Sequence, residues 1–249
     1  MKVGINLVGI AYDDQGNLQG RDWYLSYARV YQRIIECWSD MGHDVSVYLT
    51  TYKYSLNRDA NYDTETIVSW YKAKKYQFLD KIGRSTMDPW DKYGTNQIST
   101  HKKSLELLRG EDIDLVVSSR FDIIFNHNIT EYNIDYNKFN VLFKEKENWE
   151  EKTQIPEKNN ELGPALLTSD VLFIYPYNML EDVIGICDEK IQWCQSVDHP
   201  IITMHDMYRR ILHKKGEEFV NLMTNDTCFS YNHKTNTHYS VIRRPNYLM

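Results

Sequence analysis

The sequence predicts an α/β fold: a Rossmann-like mixed, mainly parallel sheet flanked by helices. Three observations carry this. The first fifty residues read as strand, helix, strand. A second short run of branched apolar residues, Ile113 to Val117, follows a helix that stops at Gly110. Helical stretches then keep alternating with apolar runs to about residue 213. No Pro/Gly/Ser-rich linker or shift of composition divides the 249 residues, so 1–249 is expected to form a single domain, with a first half (1–125) and a second half plus tail (126–249).

Taken in order, residues 3 to 10 are a short apolar run bounded by polar turn residues, as a buried strand requires. Asp13 to Asn17 reads as a turn. From Tyr24 the apolar residues Leu25, Ala28, Tyr31, Ile34, Ile35 and Trp38 recur at three and four, and Gly42 sits where a helix C-cap belongs. Val45, Val47 and Leu49 then alternate with polar residues, which completes a β-α-β unit with a parallel crossover. Thr64 to Leu79 has helical spacing through Ile67, Trp70, Tyr71 and Phe78, and a polar loop containing Trp90 follows. A helix from about Asn96 to Arg109 leads into the strand at Ile113. Beyond it come strand-like Phe139 to Lys144, a polar insertion from Glu145 to Asn160, an apolar run from Val171 to Tyr175, and helical stretches Met179 to Trp193 and Pro200 to His213. Tyr239 to Arg244 alternates as a strand or folded-back tail would.

Composition excludes several classes. With 35 acidic and 29 basic residues the net charge is −6, so there is no surplus of cations for a polyanion, and nucleic acid is not expected as a partner. No run approaches a membrane span, and the N-terminus turns polar too soon for a secretion signal. The four cysteines show no CxxC pairing, which fits a reducing, cytoplasmic setting. Nineteen tyrosines leave rings to line a cleft for flat polar ligands, although AT-rich coding would produce the same enrichment. No Gly-x-Ser-x-Gly, P-loop, Gly-x-Gly-x-x-Gly or His-Glu-x-x-His occurs, which removes the commonest hydrolase, nucleotidase, dehydrogenase and metalloprotease signatures.

The segment Ser118-Ser119-Arg120-Phe121-Asp122 falls at the carboxyl end of the strand that starts at Ile113, the edge at which open α/β sheets place their ligands. A lone Asp there also suits a turn or helix cap. On an extended chain, though, Arg120 and Asp122 share one side while Phe121 turns to the core. A carboxylate there can hold a divalent metal, and a guanidinium can bind diphosphate oxygens.

At these residues the sequence resembles the GT-A-type nucleotide-sugar glycosyltransferases. Their first half opens on an apolar strand, here Lys2 to Ile10, and a later strand ends in Asp-x-Asp. A subset from bacterial polysaccharide pathways and large DNA viruses is similar to Val117-Ser118-Ser119-Arg120-Phe121-Asp122-Ile123, with Arg in place of the first Asp. The resemblance implies a GT-A-like domain that transfers a sugar from a nucleotide-sugar donor, UDP-linked by preference, to a glycan or other hydroxyl acceptor. It implies that Asp122 holds Mn²⁺ or Mg²⁺ against the donor diphosphate, with His238 in the tail as a second metal ligand or, alternatively, only the start of a strand. It implies a donor site formed by Val8, Gly9, Tyr12, Arg21, Lys103, Ser119, Arg120 and Asp122. Arg120 in place of Asp would let protein charge take over part of the metal's work.

Transfer with inversion needs a base for the acceptor hydroxyl. Candidates are Asp170, before the Val171 strand, and His205 and Asp206. If the helix starts at Pro200, Asp206 lies about two turns beyond His199 on the same face. Each also has a structural reading, Asp170 as a turn residue and His205 as a surface residue. A Rossmann-like nucleotidyltransferase would use the same strand edge, and a non-catalytic nucleotide- or sugar-binding relative would also lack the first Asp.

Overall fold

The computed structural model describes residues 1–9, 30–52, 64–79, 97–121, 123–145, 168–196, 204–228 and 237–241. Among the described residues eleven strands fall in one seven-stranded sheet and two short ribbons. The sheet holds β1 (Lys2–Val8), β2 (Asp44–Tyr52), β3 (Lys75–Leu79), β4 (Leu115–Arg120), β6 (Phe139–Val141), β8 (Leu172–Pro176) and β9 (Val220–Leu222), in the order β3-β2-β1-β4-β8-β6-β9. Only β8 runs against its neighbours, antiparallel to both β4 and β6, while every other pairing is parallel. This is the mixed, mainly parallel sheet that the sequence predicts. Both halves of the chain contribute strands to it.

The apolar run of β4 is explained by burial on two faces. Leu115 and Val117 join Val3, Ile5, Leu7 and Ile174 on one face, under Ile34 and Trp38. Val116 joins Phe173, Tyr175 and Phe139 on the other, under α3 (Gln97–Glu106), α4 (Leu180–Ser196) and α5 (Met207–Lys215). On the first face a π-helical segment, Tyr31–Glu36, runs on into α1 (Cys37–Asp40). The predicted stop at Gly42 is present. Its φ of 77° is left-handed, and the Gly42 and His43 amides close the last turn on the Ser39 and Trp38 carbonyls.

The stretch predicted as one helix to Leu79 is instead α2 (Thr64–Tyr71) followed by β3. Lys72 adopts a positive φ of 48°, and the Ala73 amide turns back onto the Val68 carbonyl, which ends the helix. Phe78 lies seven residues after Tyr71, so it satisfies helical spacing, yet Tyr76 and Phe78 also share one face of a strand. Pairing with β2 decides between the two. The helix predicted from Pro200 starts only at Met207, so His205 and Asp206 precede it and do not lie on its face.

The ribbons gather near the ligand edge. β5 (Ile123–Phe125) pairs antiparallel with the tail strand β11 (Tyr239–Val241), and β7 (Lys144–Glu145) pairs with β10 (Thr227–Cys228). Among the described residues no helix is long and apolar enough to cross a membrane, and Cys37 and Cys187 are free and buried.

Candidate active site

The chain builds β1, β2 and β3 outward in one direction, then returns to lay β4 on the opposite side of β1. The order therefore reverses between β1 and β4, and the crevice beyond their carboxyl ends is where such sheets accept ligands. In register, Val8 stands beside Thr50 on one side and Arg120 on the other. Gly9 follows with φ 108°, its amide bonded to the Thr50 carbonyl at 3.1 Å. A side chain there would be strained whatever the space, so the backbone leaves the strand bare beside Arg120.

Because β8 runs the other way, its start reaches this same edge: Ser119 pairs with Leu172, and Asp170 lies two residues before it. The Asp170 carboxylate is buried, and three groups converge on its Oδ2. The Gln97 amide donates to it at 2.6 Å, His205 Nε2 lies 3.5 Å away, and a nitrogen of the Arg120 guanidinium lies 3.6 Å away. Burial pushes this carboxyl up, but His205, Arg120 and Gln97 outweigh it and hold it below its usual value.

His205 is also buried. Its Nδ1 donates to the Thr168 carbonyl at 2.9 Å and lies 3.6 Å from the Glu145 carboxyl, while the Thr168 amide donates back to the His205 carbonyl. Burial favours the neutral ring, yet Asp170, Glu145 and the Thr168 carbonyl raise its pKa to about 9, so the ring is an imidazolium at neutral pH. His101, on α3, is held neutral by burial, with its pKa lowered to about 4.

Asp206, adjacent in sequence, belongs to a different cluster. It ion-pairs with Lys190 of α4 and, at 2.7 Å, with Arg210 of α5. Burial acts to raise its carboxyl, but the two cations carry it well below the carboxylate range. Partners and burial together thus keep Asp170 and Asp206 as carboxylates at neutral pH and favour the charged form of His205.

The other predicted site residues separate. Phe121 is buried, edge-on to Tyr71, as its alternation with Arg120 requires. Ser119 is buried and donates its hydroxyl to the Val171 carbonyl at 3.1 Å, which ties β8 to β4. Lys103 is exposed on α3, where its carbonyl accepts from Gln77. Tyr12, Arg21 and Asp122 lie outside the described residues. His238 stands opposite Asn126 at the far end of the β5–β11 ribbon. It is stacked on Phe143, with Nε2 at 2.8 Å from Asp226 and Nδ1 at 3.2 Å from the Tyr132 hydroxyl.

The described residues do not by themselves fit a divalent metal. Among them no cluster of three or more His, Cys, Asp or Glu could hold one, and the acidic oxygen nearest the crevice, Asp170 Oδ2, faces two cations and an amide donor. What the arrangement offers is a part-exposed guanidinium at the carboxyl end of β4, ion-paired with a buried carboxylate. Gln97, Glu145 and Thr168 escaped the sequence reading because a helix start, a polar insertion and a loop carry no motif; only their pairing across the fold marks them.

A mixed α/β fold with a part-exposed guanidinium where the strand order reverses is what the described residues define. No family model and no curated protein matches the chain. Among solved structures it is similar to the galactosyltransferase LgtC in complex with donor and acceptor sugar analogues, at 13% identity and a TM-score of 0.45, covering 89% of this chain and 73% of that one. It is similar in the same degree, 13% and 0.45, to an active-site mutant of LgtC, with coverage of 89% and 72%.

Proposed function

We propose that this chain is a GT-A-type glycosyltransferase that moves a sugar from a nucleoside-diphosphate sugar, UDP-linked by preference, to a hydroxyl of a glycan acceptor in polysaccharide synthesis. The observation that carries the reading is Arg120, a part-exposed guanidinium at the carboxyl end of β4, beside the bare Gly9 backbone at the sheet reversal. A nucleoside diphosphate leaving the anomeric carbon takes the bonding electron pair and gains charge on its terminal phosphate. A guanidinium forks onto two such oxygens and stabilises that charge more in the transition state than in the donor. The new bond joins the anomeric carbon to the acceptor oxygen as the bond to the diphosphate breaks, and the acceptor proton passes to bulk water. Asp170 and His205, with the protonation states given above, serve this site as fixed charges, and Asp206 serves the packing of α4 on α5.

A Mn²⁺ or Mg²⁺ ion held by Asp122 would supply Lewis-acid stabilisation to the same leaving group. Arg120 is the protein charge that meets the leaving group. The free, buried Cys37 and Cys187 support a cytoplasmic setting.

Turnover decides. Incubated with a panel of UDP- and GDP-sugars and with nucleoside triphosphates, with and without Mn²⁺, the protein should release nucleoside diphosphate from a sugar donor and no pyrophosphate from a triphosphate. Pyrophosphate release would place it among nucleotidyltransferases, and binding without turnover of any donor would make it a non-catalytic relative.

A further inference from the structure

We infer that His205 closes a proton-dependent clasp: its doubly protonated ring locks the lead into β8 to the lead into α5, and the clasp opens when the ring loses a proton. The geometry around the two ring nitrogens carries this. Nδ1 lies 2.9 Å from the Thr168 carbonyl oxygen and 3.6 Å from Glu145 Oε1, and Nε2 lies 3.5 Å from Asp170 Oδ2. All three are acceptors. A neutral imidazole donates from one nitrogen and carries a lone pair on the other. With the proton on Nδ1, the Nε2 lone pair faces the Asp170 carboxylate. With the proton on Nε2, the Nδ1 lone pair faces the Thr168 carbonyl and Glu145. Neither neutral tautomer suits the closed arrangement, whereas the imidazolium, a donor at both nitrogens, suits it on both sides.

The side chains of His205, Asp170 and Glu145 keep only 3%, 3% and 1% of their surface exposed, so a mismatched lone pair there has no solvent to turn to. Among the described residues, the charged groups facing the ring are Asp170, ahead of β8, and Glu145, at the end of β7. Arg120 of β4 stands beyond Asp170, and His101 of α3, which also feels Asp170, is held neutral by burial. Deprotonation removes the cation that faces both acids. The backbone ties depend on the same closure: the Thr168 amide and hydroxyl both donate to the His205 carbonyl, at 2.9 and 3.3 Å, and Thr168 bridges Lys144 of β7. The clasp therefore joins three segments that meet beside the carboxyl end of β4, and β1 and β2 take no part in it. At neutral pH it is closed, and alkaline conditions open it locally. This does not depend on what Arg120 binds.

The test is an NMR titration of the intact chain, labelled with ¹⁵N in its histidine rings and backbone amides, from about pH 6 to about pH 10. The His205 ring is expected to lose its proton near 9, and the Thr168 amide resonance should move in the same step while those of Ile5 and Leu7 in β1 stay in place. A His205 ring that is neutral at pH 7 would overturn the inference. So would a ring that titrates while the Thr168 amide is unmoved. His205→Gln has no titrating ring and should show no alkaline step at Thr168; a step that persists there belongs to another group and also refutes the clasp. Should that variant fold poorly in a thermal melt, Asp170→Asn replaces it. With one acid neutralised, the His205 midpoint should fall by about one pH unit, and an unchanged midpoint would contradict the proposal.

Discussion

His205 and Asp206 are neighbours in the chain, yet they enter two ionic clusters of opposite design. Asp206 meets Lys190 and Arg210 between α4 and α5, and all three side chains are well covered, so charge is matched by charge inside the packing. His205 meets Asp170, Glu145 and, through Asp170, Arg120, and this cluster ends in a guanidinium that is part exposed at the sheet reversal. The first spends its charges on itself. The second ends in a guanidinium whose side chain keeps a quarter of its surface exposed, and that difference in cover separates the two clusters.

If the comparison holds, breaking the closed cluster should damage the fold most. Lys190→Ala leaves Asp206 buried without its α4 partner and is expected to cost about 3–5 kcal/mol in denaturant unfolding. Because the folded Asp206 carboxyl is depressed, its contribution is present above its ordinary value near 3.8 and is lost as pH falls further, so Lys190→Ala should flatten the acid limb of the stability curve.

The second cluster should carry the opposite pH signature. His205 has a raised folded pKa, so its contribution is fully present below 6.5 and is lost as pH rises through about 9. Converted from that shift, the loss is on the order of 3 kcal/mol, and His205→Gln should abolish the decline between those limits in urea melts. A decline that persists in His205→Gln would assign it to another group.

Arg120→Ala sharpens the contrast further: diphosphate affinity should fall about tenfold to a hundredfold while the melting temperature stays close to native, the reverse of Lys190→Ala. The smallest effect is expected at the tail. Tyr239 contacts the Ser169 hydroxyl at 3.3 Å, next to Asp170, while its ring stacks on Phe143. Tyr239→Phe keeps the stack and removes one neutral hydrogen bond, so it should cost about 1 kcal/mol or less.

The sequence displayed what local chemistry controls. Gly42 and Gly110 end helical segments where a left-handed residue is needed, the run at Leu115 is apolar because both its faces are covered, and Arg120 is placed at the ligand edge by counting from that run. Pairings across the fold were invisible. The direction of β8 depends on where the chain re-enters the sheet, and β3 was hidden by a spacing that serves helix and strand alike. The partnership of Gln97 with Asp170 spans 73 residues and leaves no periodic trace. His205 and Asp206 read in sequence as neighbouring candidates for the same base, and only their ion pairs across the fold show that they turn to different partners.

The most direct measurement is a crystal structure soaked with a UDP-sugar and Mn²⁺. The account predicts the diphosphate in the crevice beside Gly9, with a phosphate oxygen about 3 Å from the Arg120 guanidinium and Asp170 still holding that side chain. A nucleotide bound elsewhere, or bound in the crevice with Arg120 turned away from the phosphates, would contradict it.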